Sequence, residues 1–448
     1  MISDPRGLAV TASTPESAAR LEATITAYCG FKLDTGDRLR ATLAGDPHIV
    51  FGHILHGYFM LLLAKPELLA RARKAADSAA AAIRAAGATP REALHLRALD
   101  AWIGRDRAAA TAILETILAA HPRDIVALKL VQYLLFYAGE GTRMRDTVAS
   151  ALAAWNDTLP GYGFALGCHA FGLEESGDYD AAERAGRHAV ECEPSDIWGG
   201  HAVAHVFEMQ DRAAGGLRWI ESAAPSWRDA NNFAFHVWWH RGLFLLAEDR
   251  FEEALARYDS EVRAEPTDEH LDVTNAVALL WRLEQAGIAV GTRWEELAMN
   301  ASARLDDHWL VFGDVHYAMA LAAAGAPGDF ERWRHSSARF AAQASDGQAA
   351  VMAAVGLALG EAALAHRSGE FVRVLDLLLP VRAQIHRIGG SHAQRDLFAQ
   401  LLIDAAVKAE KWDVARDLLL ERLASRPGNV WGRNELSRVE AGRQRGLT

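Results

Sequence analysis

Apolar and polar positions along this chain follow a helical rhythm, broken at short intervals by polar turns. No stretch alternates apolar and polar residues as a half-buried strand would. The turns include Gly177-Asp178-Tyr179-Asp180, Glu248-Asp249-Arg250-Phe251 and Glu410-Lys411-Trp412-Asp413. A polar turn followed by one aromatic suits a short helix–helix connection. Four segments then close on a proline: Arg91 to Pro122, Gly163 to Pro194, Phe235 to Pro266 and Asp396 to Pro427. Proline ends a helix because it has no N–H to donate and its ring clashes with the carbonyl one turn back. The pattern predicts helix pairs, each stopped by its own proline.

Fixed spacing inside these segments makes the pairs a repeat. An alanine stands twelve residues before each proline, at Ala110, Ala182, Ala254 and Ala415. Two helices cross there so closely that only a small side chain fits. Counted from Phe235, the residues Trp238, Gly242, Leu245, Ala254, Tyr258 and Pro266 fall on the marker positions of a tetratricopeptide repeat. Pro122, Pro194 and Pro266 are 72 residues apart, so the unit there is a double repeat, one regular pair and one divergent pair. The divergent pairs cover 124–158 and 196–225, and further pairs cover 46–86, 269–304, 308–343 and 349–388. The expected fold is all-α, a tetratricopeptide-like α-solenoid wound as a right-handed superhelix of about ten helix pairs. It spans 46–430, behind a helical N-terminal cap over 1–45 and before a charged C-terminal tail over 431–448 that frays or caps the last pair. Gly325-Ala326-Pro327-Gly328 and Gly389-Gly390-Ser391 are the clearest loop signals.

Composition narrows the function classes. Half of the 448 residues are hydrophobic, ample for a large core. A solenoid also escapes the usual domain-size limit, because each repeat touches only its neighbours. The net charge is −11 and no run of Lys or Arg occurs, which argues against a nucleic-acid partner. Met1 to Ala12 carries acid, Pro and Gly without an apolar core, unlike a signal peptide. The most apolar stretch, Tyr58 to Ala64, is too short to cross a bilayer, so no membrane partner is expected. Cys29, Cys168 and Cys192 have no paired or metal-type spacing and read as small buried hydrophobes in a reducing, cytoplasmic setting. No Gly-rich phosphate loop, no Gly-x-Ser-x-Gly elbow and no Cys pair motif occurs.

Several helices carry chemistry that a scaffold does not need. His201, His205 and Glu208 lie within about 60° of one helix face, among Ala202, Val203, Ala204, Val206 and Phe207. An apolar helix with one His-His-Glu stripe suggests a lined pocket. Two His at i, i+4 also match metal-ligand spacing, although the zincin order with Glu between them is absent. A divalent metal is therefore admitted but not favoured. If one is bound, His201, His205 and Glu208 are its expected ligands. His236 and His240 form a second i, i+4 pair beside Trp238 and Trp239. His53 and His56 form an i, i+3 pair in the first unit, where polar residues also serve as a cap. His169 and Glu174 share a helix at an offset of five and cannot both face one groove; Glu174 is preferred, at a concave position. Asp272 and Asn275 share a face, whereas Asp314 and His316, two apart, do not. Ser391 reads as an N-cap ahead of His392, Arg395 and Asp396. The bland reading of all these residues is capped or surface histidines and ordinary ion pairs.

On the stretches His201-Ala-Val-Ala-His-Val-Phe-Glu-Met209, His236-Val-Trp-Trp-His240, Leu271-Asp272-Val273, Trp281-Arg282-Leu283, Asp314-Val-His316 and Gly389-Gly-Ser-His-Ala-Gln-Arg-Asp396, the chain resembles the tetratricopeptide repeat protein 38 family. The resemblance implies an all-helical repeat fold in a soluble protein and supplies no established activity. Asn275 departs from it, standing where a second acid is expected.

Two functions follow as expectations. In the first, the inner face closes a pocket for a small molecule. His201, His205, Glu208, His236 and His240 do general acid–base chemistry of a hydrolase or lyase there. Asp272, Asp314, His316, His392, Arg395, Asp396, Glu174 and His53 contact the substrate, with Arg395 on a carboxylate. In the second, the protein is a non-catalytic scaffold that takes a peptide in its groove. A homodimer is compatible with either.

Overall fold

The computed structural model describes residues 2–343 and 347–446. Its chain divides into two compact units. The first, Met1–Val203 with Ala223–Ala234, opens on two-residue antiparallel strands, β1 (Ile2–Ser3) and β2 (Ala9–Val10). The helices follow: α1 (Pro15–Cys29), α2 (Thr35–Gly45), α3 (Val50–Leu62), α4 (Leu69–Ala86), α5 (Pro90–Ile103), α6 (Arg107–Ala120), α7 (Ile125–Ala138), α8 (Gly141–Leu152), α9 (Tyr162–Glu174), α10 (Tyr179–Cys192) and the first half of α11 (Ile197–Met209). The second unit, Ala204–Ser222 with Phe235–Thr448, takes the rest of α11 and nearly all of α12 (Ala213–Ala223) and α13 (Phe233–Ala247). It continues with α14 (Phe251–Arg257), α15 (His270–Gln285), α16 (Arg293–Ser302), α17 (Val311–Ala323), α18 (Pro327–Ala341), α19 (Gly347–Val351), α20 (Leu357–Arg367), α21 (Phe371–Leu378), α22 (His392–Lys408), α23 (Trp412–Ser425) and α24 (Val430–Gly446).

Local chemistry sets the helix ends. Thr89 and Glu92 form a reciprocal capping box with Pro90 in the first turn of α5, and Ser391 with Gln394 does the same for α22, so Ser391 is the cap the sequence suggested. Asp106, Asp124 and Asp178 cap α6, α7 and α10 through backbone N–H groups three residues on. The turns between paired helices each place one residue in the left-handed region: Gly177 at φ 82°, Asp249 at 57° and Glu410 at 56°.

Within each unit, consecutive helices pack together and the first helix of one pair packs on the first helix of the next. In the first unit α3 packs on α5 and α7 on α9; in the second, α15 packs on α17 and α17 on α20. This is the tetratricopeptide arrangement. Ala110 and Ala182 in the first unit, and Ala254 and Ala415 in the second, are fully buried, as a close helix crossing requires. The second unit also closes on itself, since α22 packs against α15.

Two expectations change. The N-terminal cap is not wholly helical, because Arg6 bridges Asp4 and Glu22 and pins the short hairpin ahead of α1. The segment after Trp431 is helical: α24 runs to Gly446 and packs on α23, with Val439 fully buried. The last two residues of that tail lie outside the described ones. A longer apolar helix than Tyr58–Ala64 exists. α19, a π-turn over Met352–Gly356 and α20 form one continuous helix, Gly347–Arg367, apolar and long enough to cross a membrane. Ala349, Met352, Val355, Leu359, Ala362 and Ala363 on it are fully buried in the second unit, as a core helix requires. Of the cysteines, Cys29 and Cys168 are buried and Cys192 is exposed. Burial pushes the first two thiols up to about 12, which keeps them unreactive.

Candidate functional site

α13 is apolar on almost every side, so its polar side chains are carried inside with the rest. Phe244 and Trp239 on it are fully buried, and so is His240; His236 is 3% exposed. His205, on the α11 portion belonging to the same unit, is fully buried as well. The three rings meet: centroids lie 4.3 Å apart for His205 and His240, 5.0 Å for His236 and His240, and 6.4 Å for His205 and His236. One nitrogen from each lies within 4.8 Å of the other two. Burial pushes His205 and His240 well below the ordinary histidine range and His236 down to about 4, so all three are neutral at pH 7. His236 Nδ1 is 3.1 Å from Asn275 Oδ1. An amide oxygen only accepts, so Nδ1 carries the proton and Nε2 is the basic nitrogen.

A guanidinium stands beside these rings. Arg282, on α15, is 6% exposed and reaches over Trp239 at 5.8 Å. Its Nη1 donates to the Ala278 carbonyl at 3.1 Å and its Nη2 to the Ala393 carbonyl at 3.0 Å, which ties α15 to the start of α22. Among the described residues no carboxylate pairs with it; Asp396 and Glu208 act on it only through space, and burial pulls it down to about 10. Its charge reaches both His240 and His316. His316, fully buried on α17, donates Nδ1–H to the Phe312 carbonyl at 2.7 Å. Its Nε2 is buried with no hydrogen-bond partner among the described residues, and burial pushes the ring down to about 4.

The expected acids are elsewhere. Glu208 leaves the imidazoles for Arg426, 3.5 Å away, and Arg426 also holds Asp211 at 2.7 Å. Asp396 is claimed by Arg422 through both oxygens. Asp272, in the first turn of α15, accepts from the Thr267 hydroxyl. Asp314 lies 3.4 Å from His308. Arg395 is half-buried and donates to the Gly390 carbonyl, and His392 is half-buried at the first position of α22. That entry is set by Gly389 and Gly390 at φ 81° and 78°; a Cβ on Gly390 would stand 2.5 Å from the Phe312 ring.

Three candidates belong to the first unit. His201 is buried against Phe171, Trp198 and Phe233, with centroids at 5.5, 5.1 and 5.2 Å. Glu174 is fully buried at the end of α9. His53 is half-buried with Nε2 2.9 Å from the Pro47 carbonyl. Of the expected metal set of His201, His205 and Glu208, the acid is drawn elsewhere. Glu208 turns to an arginine, and His236 and His240 take places beside His205. Sequence reasoning also passed over Arg282, quoted only as part of a matching stretch, and the partnership of Asn275 with His236. A lone arginine in an otherwise apolar helix stretch, Ala276 to Leu283, was the available signal.

The fold and its polar interior define a helical-repeat protein of tetratricopeptide kind. No family model matches the chain. Among solved structures, it is similar to a human IFIT1 dimer with PPP-AAAA, at 14% identity and a TM-score of 0.43, covering 89% of this chain and 91% of that one. Yeast Tom70 gives 12% identity and a TM-score of 0.34 over 96% of each chain. The P58(IPK) TPR domain gives 12% identity and a TM-score of 0.23, over 80% of this chain and 99% of that one. What those proteins bind says nothing about the ligand of this one.

Proposed function

We propose that the second unit holds a small anionic molecule in its buried interior and acts on it by general acid–base chemistry of a hydrolase or lyase type. The observation that carries this is Arg282, a buried guanidinium bonded, among the described residues, only to two carbonyls beside neutral imidazoles. A buried charge with no carboxylate bonded to it is costly, and a carboxylate or phosphate is the partner a guanidinium fits best. His205, His236, His240 and His316 are neutral bases at working pH, so one of them can take a proton from a bound substrate. The stretches shared with the tetratricopeptide repeat protein 38 family support membership of that family, and the low cysteine reactivity fits a cytoplasmic protein.

The test is a thermal-shift screen of small carboxylates and phosphate esters on the full chain, repeated on Arg282→Met. A hit that stabilises the wild type and not the variant is expected, because a ligand of the native state raises apparent stability. No hit, or hits that ignore the arginine, would remove the reading. The second reading is a non-catalytic scaffold, favoured by the architecture itself. It predicts a peptide partner whose binding survives Arg282→Met and His240→Ala together.

A further inference from the structure

We propose that His205, His236 and His240 form a binding site for one divalent transition-metal ion. The proposal stands apart from the anion reading but concerns the same interior. The three rings come from two helices of one unit, α11 and α13, so rigid elements fix them. Their nitrogens converge within 4.8 Å, close enough that small side-chain rotations reach the spacing of about 3.4 Å set by tetrahedral bonds of 2.0–2.1 Å to imidazole. His236 and His240 lie one helical turn apart on one face, the spacing two histidines need to share an ion.

The donor chemistry selects the class of ion. Three imidazoles without a carboxylate or thiolate suit zinc, cobalt, nickel or copper, and not calcium or magnesium, which take oxygen ligands. Support outside the coordination shell is present too. Asn275 Oδ1 accepts from His236 Nδ1 and so holds Nε2 as the ligand nitrogen. A dication near the Arg282 guanidinium leaves the interior strongly positive, so a ligand taken up from solvent is expected to be an anion.

The experiment uses the untagged full-length chain, stripped with a chelator and titrated with zinc and with cobalt(II). Calorimetry is expected to give one ion per chain, and cobalt to show the intense visible bands of a four-coordinate site. His205→Asn and His240→Asn should each weaken binding at least 100-fold. Asn275→Ala should weaken it 10- to 100-fold, the usual cost of losing an outer-shell partner. His316→Leu, in the same unit, should leave affinity unchanged, and circular dichroism of each apo variant establishes that it is folded. Binding no tighter in the wild type than in a folded His205→Asn/His240→Asn double variant overturns the proposal, as does equal affinity for magnesium. The two readings separate cleanly. A carboxylate-induced shift that persists in chelator, in a chain that binds neither zinc nor cobalt, refutes the metal site alone. Stoichiometric cobalt binding without any carboxylate or phosphate hit refutes the anion site alone.

Discussion

Replacing Asp396 with Asn isolates the ion-pair network that anchors the end of α11 to the segment after α23. Asp396 gives both oxygens to Arg422 and stands 3.6 Å from Arg426. Arg426 in turn holds Asp211 and the Glu208 carbonyl, and Asn429 also donates to Asp211. The side chains of Asp396, Arg422 and Arg426 are 13%, 7% and 8% exposed. That burial decides the magnitude. An exposed pair is worth about 0–1 kcal/mol, whereas removing one partner of a buried pair costs about 3–5 kcal/mol because the other charge is stranded. Here two guanidiniums lose their shared carboxylate and Arg282 loses a compensating charge, so about 3 kcal/mol is expected at pH 7, more than a hundredfold in the folding equilibrium. The assay is equilibrium urea unfolding from pH 7 down to 3. The arginines hold Asp396 well below the ordinary carboxylate value of 3.8. A depressed carboxylate contributes stability that is full above 3.8 and is lost as pH falls toward its native value. The gap between wild type and variant must therefore narrow below pH 4. A loss under 1 kcal/mol at pH 7, or a gap indifferent to pH, would refute the network's role. So would an Asp396→Asn/Arg422→Met double variant no more stable than Asp396→Asn, since removing the stranded guanidinium should recover part of the loss.

Three further outcomes test other levels of the structure. His316, pushed from 6.5 to about 4 by burial, destabilises the native state only when the unfolded chain is protonated, so its penalty is absent above pH 6.5 and grows as pH falls to 4. At about 1.36 kcal/mol per unit it reaches about 3 kcal/mol; His316→Leu should flatten the wild-type stability loss between pH 6.5 and 4.5, and parallel curves would refute the assignment. Glu410 sits at φ 56° where glycine is unstrained, so Glu410→Gly should raise stability by about 0.5 kcal/mol, after the greater freedom of unfolded glycine is subtracted. Gly177→Val, at φ 82° with no atom near its Cβ, should lower it by more than 1 kcal/mol through the backbone alone, and equal melting temperatures for both variants would show that the turns are not what sets the helix ends.

The repeat was legible because its markers are backbone and packing constraints, which act locally. Ala254 is small since its helix crossing leaves no room, and a proline stops a helix whatever surrounds it. The histidine pairs were legible for the same reason: i, i+4 spacing puts His236 and His240 together by helix geometry alone. What spacing could not reveal is which distant groups claim each acid. Glu208 shares a face with His205 on the helical wheel, yet a residue more than 200 positions later, Arg426, draws it away. Asp396 is likewise claimed by Arg422, on the following helix. Carboxylates find arginines wherever the fold brings them near, and one-dimensional spacing carries no record of those encounters. The hairpin at 2–10 was missed because two-residue strands are too short to show alternation.

The loss of the acids changes the chemistry available to the imidazoles. In a hydrolytic triad a carboxylate orients the histidine and stabilises its protonated form. Here the orienting groups are an amide oxygen, Asn275, and a backbone carbonyl, Phe312; they fix the tautomers of His236 and His316 but offer no negative charge to an imidazolium. The Arg282 charge opposes protonation of His240 and His316 further. Such bases are weak until a negative charge arrives, and two sources fit the residues present. An anionic substrate would pair with Arg282 and raise the basicity of its histidine neighbours, and a metal-bound hydroxide would supply the base directly. On either route, adding the missing acid through Asn275→Asp should raise the pKa of His236, which histidine proton NMR titration reads without knowledge of the substrate. If His236 titrates at the same pH in Asn275→Asp as in the wild type, the amide does not face that ring, and the tautomer on which both routes depend is unsupported.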